Sequence, residues 1–450
     1  MAKLVTIGDS LTQGFQSLAI SRTDLAFPSM IAERLGLNVD SFSIPDFKGA
    51  GGLPFNIEWL ARKLQESLGD DIRGFEWFTS IHKIVELLDH VEDYWERGKG
   101  SQPSADTHFH NLAVWGFEVG DSYNITPALC KLRIGRAKDQ WFNPPSEPRL
   151  RTATRVLNPG NIPHRDLDTQ LSIAKRIKDR DGRIEHLILA LGANNCLGTV
   201  VDLEIRESGD NPPGPNSGLT LWQPEAFRQE FRQFEDKASE IGADHIYIGT
   251  VPHVTIPPIT RGVMKNRGRL PESRKYFDYY TRFWIRDKDF DPDSDPSLKR
   301  EEAEKIDRYI DEYNAVIRIT AANNGWHLVD VCRLLDDLAV RRNHGKPKRE
   351  LPAPIADLSV RFFEIEPNGA IRSGGLIGLD GVHPTTCGYA LIAQEFIDAI
   401  KTFEPTIRNI DFAEIRKWDT LVSSPPLTLN DIFGMLQTLE KRFHMSRWMA

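Results

Sequence analysis

The sequence predicts an α/β protein: a three-layer α/β/α sandwich around a mostly parallel sheet, with large, partly helical insertions. Three observations carry this. Short apolar runs rich in β-branched residues recur along the chain, as in Lys3-Leu4-Val5-Thr6-Ile7 and Glu185-His186-Leu187-Ile188-Leu189-Ala190-Leu191-Gly192. Segments with helical spacing separate them. Such alternation places helices on both faces of a parallel sheet.

The first strand covers Lys3 to Ile7 and runs into Gly8-Asp9-Ser10-Leu11-Thr12-Gln13-Gly14. Ser10 therefore stands at a strand's carboxyl end, the edge where open α/β sheets bind ligands. Phe27 to Gly36 reads as a helix closed by glycine. Asn38 to Ile44 alternates as a second strand. The turn Gly49 to Pro54 opens an insertion whose apolar residues Ile57, Leu60, Leu64 and Leu68, then Phe78, Ile81, Ile84, Val85, Leu88 and Val91, recur at helical spacing. Asn111 to Gly116 reads as a third strand. Asp121 or Ser122 is expected to cap a helix containing Ala128 and Leu129.

Residues 142–164 hold five prolines and are expected to be irregular. Leu167 to Ile177 reads as an amphipathic helix. Glu185 to Gly192 is the next strand, with His186 expected at the surface. Helix Pro224 to Ile241, strand Asp244 to Val251, helix Glu301 to Asn324, strand Trp326 to Val331 and helix Thr386 to Thr402 complete the alternation. A last helix is expected at about Asn430 to Phe443. The whole chain, 1–450, reads as one domain. Insertions at about 49–108, 142–164 and 252–300 are the expected cap, and 403–450 a C-terminal helical extension.

Composition excludes several classes. A net charge of −8 argues against nucleic acid or an anionic membrane surface as partner. No run approaches the length of an integral membrane span, and the N-terminus lacks the pattern of a secretory signal. A cytoplasmic location is expected. The four cysteines, Cys130, Cys196, Cys332 and Cys387, form no C-x-x-C pair and are expected as free thiols. The oligomeric state is not legible.

Near the other end stands Leu379-Asp380-Gly381-Val382-His383-Pro384. An Asp three residues before a His, in a loop ahead of a helix, can accept a hydrogen bond from the imidazole and fix its tautomer. Cys387 also follows His383, but Ser10 fills the nucleophile role better. Asp9 reads as an anchor for loop backbone rather than the acid of a triad.

Four short blocks now stand in order: Gly8-Asp9-Ser10, Gly116, Gly192-Ala193-Asn194 and Asp380-Gly381-Val382-His383. On these motifs the chain resembles the SGNH hydrolases, the GDSL esterase/lipase family. The resemblance implies that fold, with its flavodoxin-like sheet, and a serine esterase needing no metal or organic cofactor. It implies Ser10 as nucleophile, His383 as base and Asp380 as its orienting acid. It also implies oxyanion donors in the backbone N–H of Ser10, the backbone N–H of Gly116 and the side-chain amide of Asn194. Two departures stand out: Asn195 replaces a usual Asp, and Asn111 lies five residues before Gly116 rather than two. Gly120 is the alternative glycine. The expected substrate is a lipid, acylated-sugar or small-molecule ester. The alternatives are acyl transfer or thioester hydrolysis by the same serine, and a non-catalytic binding protein on the same scaffold.

Other signals point elsewhere. Asp291, Asp293, Asp295 and Glu302 have the spacing of a calcium loop, but Pro296 stands where that loop needs Gly. An acidic turn capping the following helix is expected instead. His108 and His110 read as a surface pair. The aromatics from Tyr276 to Trp284 suit either a pocket or, as the favoured reading, the insertion's core.

Overall fold

The computed structural model describes residues 1–68, 76–137, 144–215, 217–365 and 371–426. Four parallel strands form the central sheet: β1 (Ala2–Gly8), β2 (Ile184–Ala190), β3 (His245–Gly249) and β4 (His327–Val329), side by side in that order. Register is tight, with Val5 beside Leu187 and Ile188 beside Tyr247. A fifth, extended segment lies on the free edge of β1. Thr6 N–H donates to the His110 carbonyl, Leu112 N–H to Thr6 and Val114 N–H to Gly8. Counting that segment, the spatial order is 2-1-3-4-5. In such a doubly wound sheet the order reverses beside β1, and the crevice there is the ligand site.

The strands alternate with period two, as strands buried on both faces must. Val5, Ile7, Leu187, Leu189, Ile246 and Ile248 enter one apolar cluster; Leu4, Ile188, Tyr247 and Val329 enter the other. Helices Gln170–Asp181, Pro224–Ser239 and Arg300–Asn324 cover the first face. Helices Phe27–Arg34 and Thr386–Ile400 cover the second. Burying a Leu, Ile or Phe side chain is worth about 1.5–3 kcal/mol, so both layers contribute heavily.

Several expectations are corrected. Asn38 to Ile44 is no strand: Asn38 Oδ1 accepts from the N–H of Asp40 and Ser41, closing a turn. Asn111 to Gly116 pairs with β1 through one bridge at Asn111 and then turns away at Gly116. Residues 142–164 include a helix, Pro148–Leu157, because Pro148 takes the first position, where proline costs nothing. Ala128 and Leu129 belong to helix Pro127–Ile134, capped by Thr126; Asp121–Asn124 is a separate single turn. The insertion at 252–300 is not helical. It folds as a three-stranded antiparallel sheet, Thr260–Val263, Tyr279–Arg282 and Ser297–Lys299. Phe277, Tyr280 and Phe283 from it join the first cluster. The insertion at 49–108 does carry helices, Ile57–Leu68 and Glu76–Glu96; the side chains of Leu68, Phe78 and Ile81 lie outside the described residues. So does the helix expected at 430–443.

The histidines are also corrected. His108 and His110 are buried. His108 pairs with Asp168 at 3.1 Å, and Ser43 N–H donates to His110 Nδ1. His186 is fully buried, with Nδ1 3.2 Å from the Tyr247 hydroxyl and Nε2 without a hydrogen-bond partner. Among the described residues no helix is long and apolar enough to cross a membrane.

His186 sets a testable pH dependence. Burial, then the charges of Lys3 and His245, push it from 6.5 down to about 4, against Glu404 and Asp244. A base depressed in the folded state stabilises fully above its unfolded value and loses that contribution as pH falls through the folded one. His186→Gln is therefore expected to lose roughly 3 kcal/mol less stability than the wild type between pH 6.5 and pH 4. Urea denaturation at both pH values measures this; an unchanged pH slope would assign the acid sensitivity to another group.

Candidate active site

β1 ends at Gly8, and its successor Asp9 caps a single helical turn, α1 (Ser10–Gln13), by accepting from Leu11 N–H at 3.1 Å. Thr12 packs so close to Gly8 that a Cβ there would lie 2.1 Å from its hydroxyl oxygen. Only glycine lets the turn fold back on the strand's end. Ser10 thus opens the helix at the rim of the crevice.

From the far end of the chain, Gly378 to Pro384 bends into a tight turn with Gly381 at φ 79°. Asp380 Oδ1 accepts from the N–H groups of Val382 and His383, both at 2.9 Å. Its Oδ2 accepts from Leu18 N–H at 2.9 Å and lies 3.2 Å from His383 Nδ1. His383 Nε2 lies 2.9 Å from Ser10 Oγ. A carboxylate only accepts, so Nδ1–H donates to Asp380; when the ring carries no second proton, Nε2 accepts and the Ser10 hydroxyl donates. All three side chains are buried, Asp380 completely and Ser10 6% exposed. Burial alone would raise the Asp380 carboxyl. The His383 charge and the hydrogen bonds from His383 and Leu18 outweigh it and hold the carboxyl below its ordinary range. Phe15 lies against the imidazole, ring centres 4.6 Å apart.

Asp9 is also buried. Burial pushes its carboxyl up to about 7, against the Leu11 N–H and the charge of His383. Its hydrogen bond is to backbone, as expected of an anchor. Cys387 is not a partner of His383: its N–H donates to Asp419, and burial, then the Asp419 charge, pushes its thiol far above the ordinary range.

The crevice's other wall comes from 114–119 and α2 (Asn194–Asp202). Gln13 Oε1 accepts from Trp115 N–H at 2.8 Å, so α1 itself positions the approach to Gly116. Gly116 adopts φ 74°, and a Cβ there would meet Arg149 Cδ at 2.6 Å; Arg149 Nη1 donates to the Gly116 carbonyl at 3.0 Å. A Cβ at Gly120 would meet Glu230 Oε1, on the helix Pro224–Ser239, at 1.9 Å. Asn194 Nδ2 donates to the Phe117 carbonyl at 2.9 Å. Its neighbour Asn195 accepts from Val119 N–H and, through its carbonyl, from Trp222 N–H. Gln13, Arg149 and Asn195 were not singled out from sequence as parts of the site. The one signal was position, since Gln13 lies in the opening loop and Asn195 replaces an expected Asp.

A cavity of about 90 Å3 opens beside Ser10 and His383. Helix α3 (Val331–Leu338) and helix α4 (Thr386–Ile400) wall it with Leu334, Leu338, Leu391 and Ile392. His253 also borders it. Its Nδ1 lies 2.8 Å from Asp336 and 3.6 Å from Cys332 Sγ, and its Nε2 lies 3.3 Å from Asp311. Burial would lower its pKa, but bonds to Asp336 and Cys332 prevail and raise it to about 11. The aromatics from Tyr276 to Trp284 do not line this cavity. The acidic turn at Asp291 is closed on itself, with Asp293 N–H and the Ser294 hydroxyl donating to Asp291. Strand Ser297–Lys299 separates it from the helix it was expected to cap.

No family model and no curated protein matches the chain. Solved structures similar to parts of it include the following two. An acetyl xylan esterase shares 13% identity over 51% of this chain and 74% of its own, with a TM-score of 0.25. An alpha/beta hydrolase enzyme from the metagenome of Lake Arreo, Spain, shares 15% identity over 69% of this chain and 90% of its own, also with a TM-score of 0.25. Likeness this loose says nothing about the site or its substrate.

The Gln13 contact is testable. Gln13→Leu keeps the bulk but leaves the buried Trp115 N–H without its acceptor. A loss of about 1–3 kcal/mol in urea denaturation is expected. A loss below about 0.5 kcal/mol would mean that the N–H finds another acceptor.

Proposed function

We propose that this protein is a serine hydrolase of the SGNH type that cleaves a carboxylic ester through an acyl-enzyme on Ser10. The observation that carries the reading is the unbroken hydrogen-bonded chain Ser10–His383–Asp380, with atoms at 2.9 and 3.2 Å, on the crevice beside β1.

In this reading Ser10 Oγ attacks the ester carbonyl while His383 Nε2 takes its proton. Asp380 holds the ring by Nδ1–H and stabilises the imidazolium that forms. The oxyanion of the tetrahedral intermediate accepts from the N–H of Ser10, the N–H of Gly116 and the amide of Asn194. The bond of Asn194 to the Phe117 carbonyl uses one of its two amide protons and leaves the second for the oxyanion. The intermediate collapses as His383 protonates the departing alkoxide. Water, deprotonated by the same nitrogen, then attacks the acyl-enzyme, and its collapse releases the acid and restores Ser10.

A fluorophosphonate probe is expected to label the wild type at Ser10 and to leave Ser10→Ala unlabelled, with ester turnover lost. Asn194→Ala is expected to lower kcat about 10²- to 10³-fold, the usual cost of one oxyanion donor. Peptide mapping of the label and initial rates on short-chain esters check both. An unlabelled Ser10 in a protein that cleaves no ester would sink the reading and leave the binding-protein alternative.

A further inference from the structure

We infer that His253 Nδ1, Cys332 Sγ and Asp336 Oδ1 form a binding site for one divalent ion of the zinc class, which ties the start of the 252–300 insertion to α3. The site stands apart from the serine hydrolase reading, because none of its ligands belongs to the Ser10–His383–Asp380 chain.

The three ligand atoms lie within 4.8 Å of one another. Cys332 and Asp336 are four residues apart on α3, so both project from one face. His253 reaches them from the segment leaving β3. Thr250 holds the two elements in register: its hydroxyl accepts from Cys332 N–H and donates to Asp330, both at 2.9 Å. His253 and Cys332 are buried. The Asp336 side chain is 32% exposed and gives an ion its way in.

The distances suit a tetrahedral ion. Zinc, about 2.0 Å from nitrogen and 2.3 Å from sulfur, needs those two atoms about 3.5 Å apart. Nδ1 lies 3.6 Å from Cys332 Sγ and 2.8 Å from Asp336 Oδ1. The sulfur is already in place, and the carboxylate has to withdraw by only about 0.5 Å. As the ion binds, the thiol and Nδ1 release their protons to solvent. A metal-bound imidazole usually gives its other N–H to a carboxylate, which fixes the ring. Here His253 Nε2 lies 3.3 Å from Asp311.

Sulfur, nitrogen and oxygen donors together favour zinc over calcium or magnesium, which take oxygen. The nearby Arg342 is paired with Asp307 at 2.9 Å and comes no closer to Asp336 than 4.0 Å. Asp336, Asp311 and the Cys332 thiolate therefore face the ion. Three protein ligands leave its fourth position to water. Among the described residues the other group of this kind is Glu185, His186 and Glu404. The ammonium of Lys3 already pairs with both of its carboxylates, so a cation is in place there.

The test strips the reduced, whole chain with EDTA and titrates it with Co2+, then Zn2+. One Co2+ per chain is expected to bind, with a thiolate-to-cobalt charge-transfer absorption that Zn2+ abolishes by displacement. Cys332→Ser is expected to remove that absorption. Asp311→Asn, at an exposed position, keeps all three ligands; the absorption is expected to persist while binding weakens about 10- to 100-fold. Zn2+ is expected to slow proteolytic cleavage within 252–300 of the wild type. A wild type without the charge-transfer absorption overturns the site, whatever the variants do. The same absorption in Cys332→Ser overturns it as well, since the ion then sits on another thiol. Stoichiometric binding that leaves cleavage of the insertion unchanged overturns the tie between the insertion and α3.

Discussion

One buried carboxylate joins the two ends of this chain. Asp380 accepts from Leu18, 362 residues earlier, and from His383, three residues later. Two N–H groups of its own turn occupy the other oxygen. A carboxylate without these four partners could not stay ionised in a fully buried position. The loop after Ser10, the turn that carries His383 and the ring's tautomer therefore depend on the same charge. Closing a loop of this length costs only about 3 kcal/mol more entropy than closing one of ten residues. A charge-assisted, multiply bonded acceptor is enough to hold it.

The opposite wall of the crevice follows a similar logic. Its loops are tied to each other as well as to the sheet. Gln13 reaches from the nucleophile's turn to Trp115, and Asn194 and Asn195 reach from the next strand's helix to Phe117 and Val119. Arg149, from the helix Pro148–Leu157, holds the Gly116 carbonyl. Four separate stretches of chain are thus held together around residues 115–119.

Much of this was legible in the sequence where the signal was local. β1, β2 and β3 announce themselves by unbroken apolar runs, and the helix Arg300–Asn324 by its period. The candidate triad was legible because each member belongs to a short block of fixed spacing. The misreadings have physical causes. Asn38 has a side chain that competes with the ladder, so an alternating run became a turn. Pro148 looked like a breaker and is a helix start. His186, His108 and His110 looked like surface residues because sequence does not show the partners, Tyr247, Asp168 and Ser43, that accompany their burial. Gln13 and Arg149 act on backbone groups, and such contacts leave no pattern. Sequence offered only the aromatics from Tyr276 to Trp284 as a possible pocket, and they do not line the cavity beside Ser10. It lies between two helices of the second layer, and Pro252, His253, Val254 and Pro257 of the 252–300 insertion complete its lining.

The position of the two halves of the site along the chain bears on how the protein is made. The candidate serine precedes the histidine that lies against it by 373 residues. Until that segment emerges, Ser10 is an ordinary hydroxyl with no base beside it. A chain that stops before Asp380 carries Ser10 without the imidazole and carboxylate that line up behind it. The pairing of hydroxyl and imidazole therefore forms only once the sheet between them has folded.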